Sequence, residues 1–256
     1  QVEESAALGM RVLAFAMAEF SGKQIPEKLP ELAFIGLQAM IDPPRPEVRE
    51  SLALCRSAGV KVKMITGDHL VTANAIAKDL GISCDVGGIS GKQLAQIKNE
   101  DLPDIAEKTA VFARVAPEHK FRLVEALMKK GHVVAMTGDG VNDAPALKRA
   151  DIGVAMGQSG TDVAKDAADM VLLDDNFATL VRAVEEGRNV FNNLVKSMVY
   201  ILPTNLGQGL VLFIAVLLGM RLPITPVQVL WVNLLTAFLS LPMAFEAMEA
   251  GLMKRP

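Results

Sequence analysis

Between Ser197 and Phe245 the chain carries one charged residue, Arg221. Two apolar runs flank it, 198–220 and 222–245, each more than 20 residues long. At about 1.5 Å of helical rise per residue, either run crosses a hydrocarbon core of about 30 Å. The alternative is a pair of core helices in a soluble protein, but a chain of 256 residues has too little other surface to cover them. The link from Gly219 to Pro223 is short, so the runs are expected to form a helical hairpin with both outer ends on one side. Arg182, Arg188, Lys196, Lys254 and Arg255 flank those ends, against Arg221 alone in the turn. The positive-inside rule then puts the outer ends, and everything preceding them, in the cytoplasm.

The preceding sequence has a different character. Over the whole chain net charge is -3, mean hydropathy is +0.31 and aromatic residues make up only 5%. With its basic residues dispersed, such a chain presents no base-stacking or phosphate-tracking surface, and nucleic acid is excluded as a partner. Cys55 and Cys84 have neither metal-site spacing nor a disulfide framework, and are read as buried free thiols. The apolar spacing over Ala6–Phe20 suits a helix or, over Val12–Met17, a buried strand, and periodicity does not decide between them. Pro26 and Pro30 bracket a loop, and Leu32–Met40 reads as a strand. Pro43, Pro44 and Pro46 make a stiff connector that suits a hinge or domain border.

Beyond that connector, strand and helix alternate. Helices are expected over Glu47–Ala58, Leu70–Leu80 and Pro117–Lys130, and strands over Val60–Ile65, Val111–Ala113 and Val133–Met136. This rhythm predicts an α/β fold, a parallel sheet with helices on both faces. Asn176–Val195 follows as an amphipathic helix. Ligands of such sheets bind at the carboxyl ends of strands, where two turns fall, Thr66-Gly67-Asp68 and Thr137-Gly138-Asp139-Gly140. The second gathers Asp139, Asp143 and several backbone amides, hard oxygen donors that suit Mg²⁺ beside glycines that admit a phosphoryl group. A Gly-Asp turn is equally often an ordinary turn. Lys120 offers a positive charge for a phosphate or is a solvated helix lysine, and Asp68 is a ligand, a helix N-cap, or both.

The run Met136-Thr137-Gly138-Asp139-Gly140-Val141-Asn142-Asp143-Ala144-Pro145-Ala146-Leu147-Lys148 resembles the signature loop of P-type ATPases in the haloacid-dehalogenase superfamily. Asp42-Pro43-Pro44-Arg45, Met64-Ile65-Thr66-Gly67-Asp68 and Ala113-Arg114-Val115-Ala116-Pro117-Glu118-His119-Lys120 match further family motifs in the family's order. The likeness continues through Val171–Phe177 and Glu185–Arg188 into both apolar runs. It implies a haloacid-dehalogenase-like Rossmannoid sheet followed by a transmembrane hairpin, in a pump that uses ATP and Mg²⁺. It also implies roles: Asp139 binds Mg²⁺ with Asn142 and Asp143 in support, and Lys120 holds phosphoryl oxygens. Thr66 bonds the phosphate, Gly67 and Asp68 complete its pocket, and Arg11, Arg45 and Arg114 contact ATP.

The expected organisation is the end of a nucleotide-binding domain (1–40), the second part of a phosphorylation domain (41–175), a stalk helix (176–197), membrane helices (198–220 and 222–245) and a cytoplasmic segment (246–256). The family's nucleophile is the Asp of Asp-Lys-Thr-Gly-Thr, and this chain contains no such run. No Met opens the chain and its last residues follow closely on an apolar run, so an internal stretch of a larger multi-pass membrane protein is expected. Its partners would be ATP, the transported cation, the lipid bilayer and the rest of a pump: actuator domain, nucleotide domain and other helices. Asn205, Gln208, Asn233 and Thr236 are candidate ion-pathway residues, polar groups in apolar spans that otherwise serve as interhelical hydrogen bonds. Calcium pumps of the class carry acids where Gln208 and Ala237 stand, which opens the choice between Ca²⁺ and monovalent Na⁺, K⁺ or H⁺. Two other readings are a soluble phosphatase, which needs an Asp-x-Asp start and no hairpin, and a membrane-anchored Mg²⁺- or nucleotide-binding module without turnover.

Overall fold

A computed structural model of the chain describes residues 2, 5, 10–18, 31–40, 43–82 and 87–255. They fall into two compact units, Gln1–Thr179 and Leu180–Pro256. In the first unit, β1 (Arg11–Met17) pairs antiparallel with β2 (Ala33–Met40), with a register shift between Phe15 and Ala16. Val12–Met17 is therefore part of a strand, its backbone groups satisfied by β2.

Two three-stranded parallel sheets follow. One has the order β3 (Met64–Thr66), β5 (Val111–Ala113), β4 (Ile89–Ser90); the other has β6 (Ala135–Gly138), β7 (Ile152–Met156), β8 (Met170–Leu172). Helices Pro46–Ser57, Leu70–Asp79 and Pro117–Lys129 lie within two residues of the expected bounds. The strands expected over Val60–Ile65 and Val133–Met136 instead begin at Met64 and Ala135. Val60 N–H closes the preceding helix on Cys55 O after Gly59 at φ 74°, and Lys63 Nζ reaches the carbonyls of Glu107 (2.9 Å) and Thr109 (2.8 Å). In the second case Val134 N–H is taken by the Asp151 carboxylate at 2.8 Å. Both corrections move the strand toward its Thr-Gly-Asp turn. The short helices Gly91–Gln96, Leu102–Lys108, Ala144–Arg149 and Asp162–Ala167 and the strands β4, β7 and β8 had no counterpart in the sequence reading, since elements of two to seven residues carry too few periods to register.

Three apolar clusters hold this unit. One joins Leu52, Ala73 and Val111, one joins Leu94, Phe112 and Leu123, and one joins Val124, Met136, Leu147 and Ala155. Ile65, in the middle of β3, packs against both the second and the third. Strands β3 and β6 thus border a shared core although each belongs to a different sheet. Cys55 is buried, and burial raises its thiol pKa; Cys84 lies outside the described residues.

The expected stalk and first span form one continuous helix, which continues into the second unit. A single helix runs over Phe177–Leu217, 41 residues with Pro203 inside it. At about 1.5 Å per residue it is roughly 60 Å long, twice a hydrocarbon core. Gly219 at φ 66° ends it, with Met220 N–H donating to Ala215 O at 2.9 Å. The second helix is Pro226–Ala244, four residues later in start than its apolar run, because Thr225 and Gln228 form a capping box there. Both helices are long and apolar enough to cross a membrane. After Ala244 the chain folds back: Asn193 Nδ2 donates to Glu246 O (3.0 Å), Lys196 Nζ pairs with Glu246 (2.8 Å) and Glu249 (2.9 Å), and Arg188 donates to the carbonyls of Leu252 and Arg255.

Phe112 is only 1% exposed and lies between β3 and β4 in the central strand β5. Phe112→Ala is expected to cost about 3–5 kcal/mol. Urea unfolding in detergent, followed by circular dichroism, measures it; a loss below 1 kcal/mol would mean that the site collapses around the cavity.

Candidate functional site

Strand β6 runs out at Gly138, and the chain turns through Asp139 and Gly140 into a single 3₁₀ turn, Val141–Asp143. Asp143 is 5% exposed and starts the helix Ala144–Arg149. A buried carboxylate requires a counter-charge and hydrogen bonds. Lys120 Nζ supplies the charge at 2.5 Å, and Gly140 N–H donates to the other oxygen at 3.4 Å. Lys120 reaches it from the first turn of helix Pro117–Lys129, where Pro117 presets the backbone at the helix start. Gly138 is needed sterically, because a Cβ there would lie 2.5 Å from Asp143 Cβ and 2.8 Å from its Cγ.

Asp139 is exposed, and its carboxylate has no hydrogen-bond or ion-pair partner among the described residues. Its backbone carbonyl accepts Thr161 N–H at 2.8 Å. Asn142 is exposed beside it. No group of three or more His, Cys, Asp or Glu among the described residues is arranged to hold a metal. Mg²⁺ seldom uses such a cage; it takes one or two carboxylates and fills its octahedron with water and phosphate oxygens. A free Asp139 carboxylate fits that mode, while Asp143 is engaged with Lys120.

The other turn follows β3. Thr66 Oγ1 donates to Asp68 Oδ2 and accepts Asp68 N–H, both at 3.1 Å, so Gly67 is held in a closed loop. Asp68 is not the cap of the next helix: His69 is, its Nδ1 accepting Val71 N–H. Ile65 precedes this turn and Met136 precedes the other, and the two side chains meet in one cluster.

Arg45 Nη1 donates to Asp175 O at 3.0 Å. Arg114 is exposed, adopts φ 52°, and is crowded by Gly91, where a Cβ would lie 2.1 Å from Arg114 O. The Arg11 side chain lies outside the described residues, although its backbone belongs to β1.

Sequence reasoning gave no role to the loop 157–161. Asp175, at φ 51°, accepts the amides of Gln158 (2.9 Å) and Ser159 (2.8 Å) on its two carboxylate oxygens. The Gln158 amide above all, then the Ser159 contacts, bring its pKa down to about 2. The paired acids Asp174-Asp175 were visible in the sequence, but the left-handed backbone that turns one of them onto the loop was not.

Within the helix pair, Thr236 is buried, and Thr204 and Gln208 are half-buried, whereas Asn205 and Asn233 are exposed. Thr204 and Thr236 donate to the carbonyls one turn back, Tyr200 (2.9 Å) and Val232 (2.8 Å). Gln208 Nε2 is buried without a partner among the described residues.

Two outcomes follow. Lys120→Met leaves the Asp143 charge buried and alone, and is expected to destabilise the first unit by about 3 kcal/mol; adding Asp143→Asn recovers most of it. Urea midpoints of the single and double variants measure this, and a single-variant loss under 0.5 kcal/mol rules out a desolvated pair. The Asp175 pKa is depressed in the folded state, so its contribution is complete above the unfolded value near 3.8 and is lost as pH falls through about 2. Protection of the Gln158 and Ser159 amides relative to their intrinsic exchange, measured by NMR, should stay high at pH 4 and fall near pH 2.

Residues 13–151 match the family described as haloacid dehalogenase-like hydrolase, and residues 120–184 match a second family of the same description. Residues 221–256 match the C-terminus of cation-transporting ATPases. A probable cation-transporting ATPase F of Mycobacterium bovis is 54% identical over 97% of this chain and 28% of its own length. The cation-transporting ATPase pma1 of Synechocystis is 53% identical over 99% of the chain and 29% of its own length. A calcium-transporting ATPase of Bacillus subtilis is 49% identical over 98% and 29%. The chain thus spans less than a third of the length of these relatives. With strand-end turns of the geometry above inside the matched stretch, the chain belongs to the haloacid dehalogenase-like hydrolase family.

Proposed function

We propose that the chain forms the second part of the phosphorylation domain, the stalk and one membrane hairpin of an ATP-driven P-type cation pump. One observation carries this reading. Strand β3 pairs only with β5 and strand β6 only with β7 among the described residues, so each ends its sheet with an open edge. Both strands end in Thr-Gly-Asp, and both border the cluster of Ile65 and Met136. A further parallel strand between those edges would bring its own carboxyl end between Thr66 and Asp139. In the proposed pump that strand bears the phosphorylated aspartate of Asp-Lys-Thr-Gly-Thr, contributed from outside this chain.

Around such an aspartate the residues have separate tasks. Thr66 would turn its hydroxyl proton from Asp68 Oδ2 to the phosphoryl oxygens, and Gly67 and Asp68 close the pocket. Lys120 directs positive charge toward them from beside Asp143. Asp139, with Asn142 adjacent, holds Mg²⁺, which neutralises the charge on the transferring group when bound. Phosphoryl transfer asks mainly for this positioning and charge compensation. ATP would be held with the help of Arg11, Arg45 and Arg114, and the actuator and nucleotide domains complete the machine.

Two helices long and apolar enough to cross a membrane support a multi-pass membrane chain, and the excess of Arg and Lys at their outer ends supports a cytoplasmic α/β part. Two readings of the ion stand on different observations. The neutral Gln208 and Ala237 favour a monovalent ion, because fewer carboxylates weaken divalent binding. The Bacillus subtilis relative is named for calcium, which favours Ca²⁺. In both, Asn205, Gln208, Asn233 and Thr236 contribute to the pathway.

Whole pump containing this chain, given labelled ATP and Mg²⁺, should form a hydroxylamine-sensitive phosphoenzyme, and Asp139→Asn should lower its formation rate by about 100-fold or more. Undiminished labelling in that variant removes Asp139 from its role. No labelling in the unaltered pump supports an anchored binding module instead. A panel of ions in the ATPase assay separates the ion readings: strict submicromolar Ca²⁺ dependence counts against a monovalent ion.

A further inference from the structure

Thr161 N–H holds the carbonyl of Asp139, the residue with the free carboxylate, at 2.8 Å. Thr161 closes the loop that follows β7, and the other part of that loop is held by Asp175 through Gln158 and Ser159 N–H. The loop has little slack. Gly157 N–H donates to Leu172 O at 2.8 Å, a Cβ at Gly157 would lie 2.7 Å from that oxygen, and a Cβ at Gly160 would lie 2.0 Å from Met156 O. Asp175 is tied in turn on its other side. Its carbonyl accepts Arg45 Nη1, and its neighbour Asn176 caps the long helix by accepting Ala178 N–H at 2.9 Å and donates to Glu47 at 3.3 Å.

An unbroken series of hydrogen bonds and short backbone segments therefore runs from the Asp139 turn to the first turn of helix Phe177–Leu217. We propose that Asp175 is a positioning residue that couples Mg²⁺ binding at Asp139 to the conformation of that helix start. This rests on the Mg²⁺ role given to Asp139 above. The carboxylate acts on the loop and the carbonyl on Arg45, so one residue in a strained left-handed conformation joins the turn, the proline-rich connector and the helix. Reciprocity follows: displacing the helix start loosens the Asp139 turn, and ordering the turn steadies the helix start.

The test is a Mg²⁺ titration of the whole chain in detergent, read by hydrogen exchange in peptides covering 137–143, 157–161 and 174–180. In the unaltered chain Mg²⁺ should slow exchange in all three. Asp175→Ala should raise the Mg²⁺ midpoint at 137–143 by about 5-fold or more and abolish the Mg²⁺ effect at 174–180. Asp175→Asn keeps one acceptor oxygen and the fold, and should lie between the two. A purely structural role would lower thermal stability without moving the midpoint. An unchanged midpoint together with retained Mg²⁺ protection at 174–180 in Asp175→Asn and Asp175→Ala overturns the coupling. If Mg²⁺ protects 137–143 in neither the unaltered chain nor Asp139→Asn, the Mg²⁺ reading itself fails, and the coupling with it.

Discussion

Asp143 is a carboxylate removed from water, and much of the candidate site follows from the groups that compensate it. Its exposure is 5%, and isolation at that depth would cost several kcal/mol. Lys120 compensates it, which fixes the first turn of helix Pro117–Lys129 against the loop after β6. Gly138 can carry no side chain because the Asp143 Cβ occupies the space. The result is a division of labour between two acids four residues apart. Asp143 is committed to shaping the loop, and Asp139 is left exposed with its carboxylate free. A metal site built on one free carboxylate would bind weakly alone and gain affinity when phosphate oxygens share the ion.

The second unit answers another constraint. In an apolar medium every backbone group has to be satisfied within the helix, and a polar side chain adds a group of its own. Thr204 and Thr236 meet this by donating to carbonyls a turn back. Gln208 does not: its buried amide, like the Ser197 hydroxyl in the same helix, has no hydrogen-bond partner among the described residues. Outside the apolar runs the same helices are clasped. Arg188, Asn193 and Lys196 bind the returning segment over about 12 Å of helix, burying Leu252 and Met253 at 4% exposure. With a short turn at the opposite end, the pair is anchored at both extremities, so movement of the first helix carries the second with it.

The features legible in the sequence were those with long periods or fixed local chemistry. Two apolar runs, three amphipathic helices and both Thr-Gly-Asp turns were readable because each declares itself within its own segment. Features set by distant partners were not. Val60–Lys63 looks like the start of a strand, yet the Lys63 ammonium bonds carbonyls 44 and 46 residues away. The stalk and first span, expected to meet near Ser197, are one continuous helix, because a helix responds to backbone continuity and not to the change from amphipathic to apolar. His69 displaced Asp68 as the cap because Asp68 is already closed on Thr66. The part of Asp175 depends on a positive φ, and no pattern of side chains announces one.

An open strand edge in the middle of an α/β unit exposes unpaired backbone groups that water or another strand has to satisfy. Among the described residues β3, β4, β6 and β8 all end a parallel sheet, and β3 and β6 are the two of these that bear the candidate ligands and share the cluster of Ile65 and Met136. If the edges served only packing, there would be no reason for the same turn chemistry to end both. If a catalytic strand is received between them, the coincidence has a cause: the ligands must stand on its immediate neighbours to meet its carboxyl end. Each half of the proposed site is then preorganised by its own local bonds, Thr66 with Asp68 and Lys120 with Asp143. Inserting the strand would need no rearrangement of either turn, and the energy of pairing two edges remains available for holding the nucleophile in line.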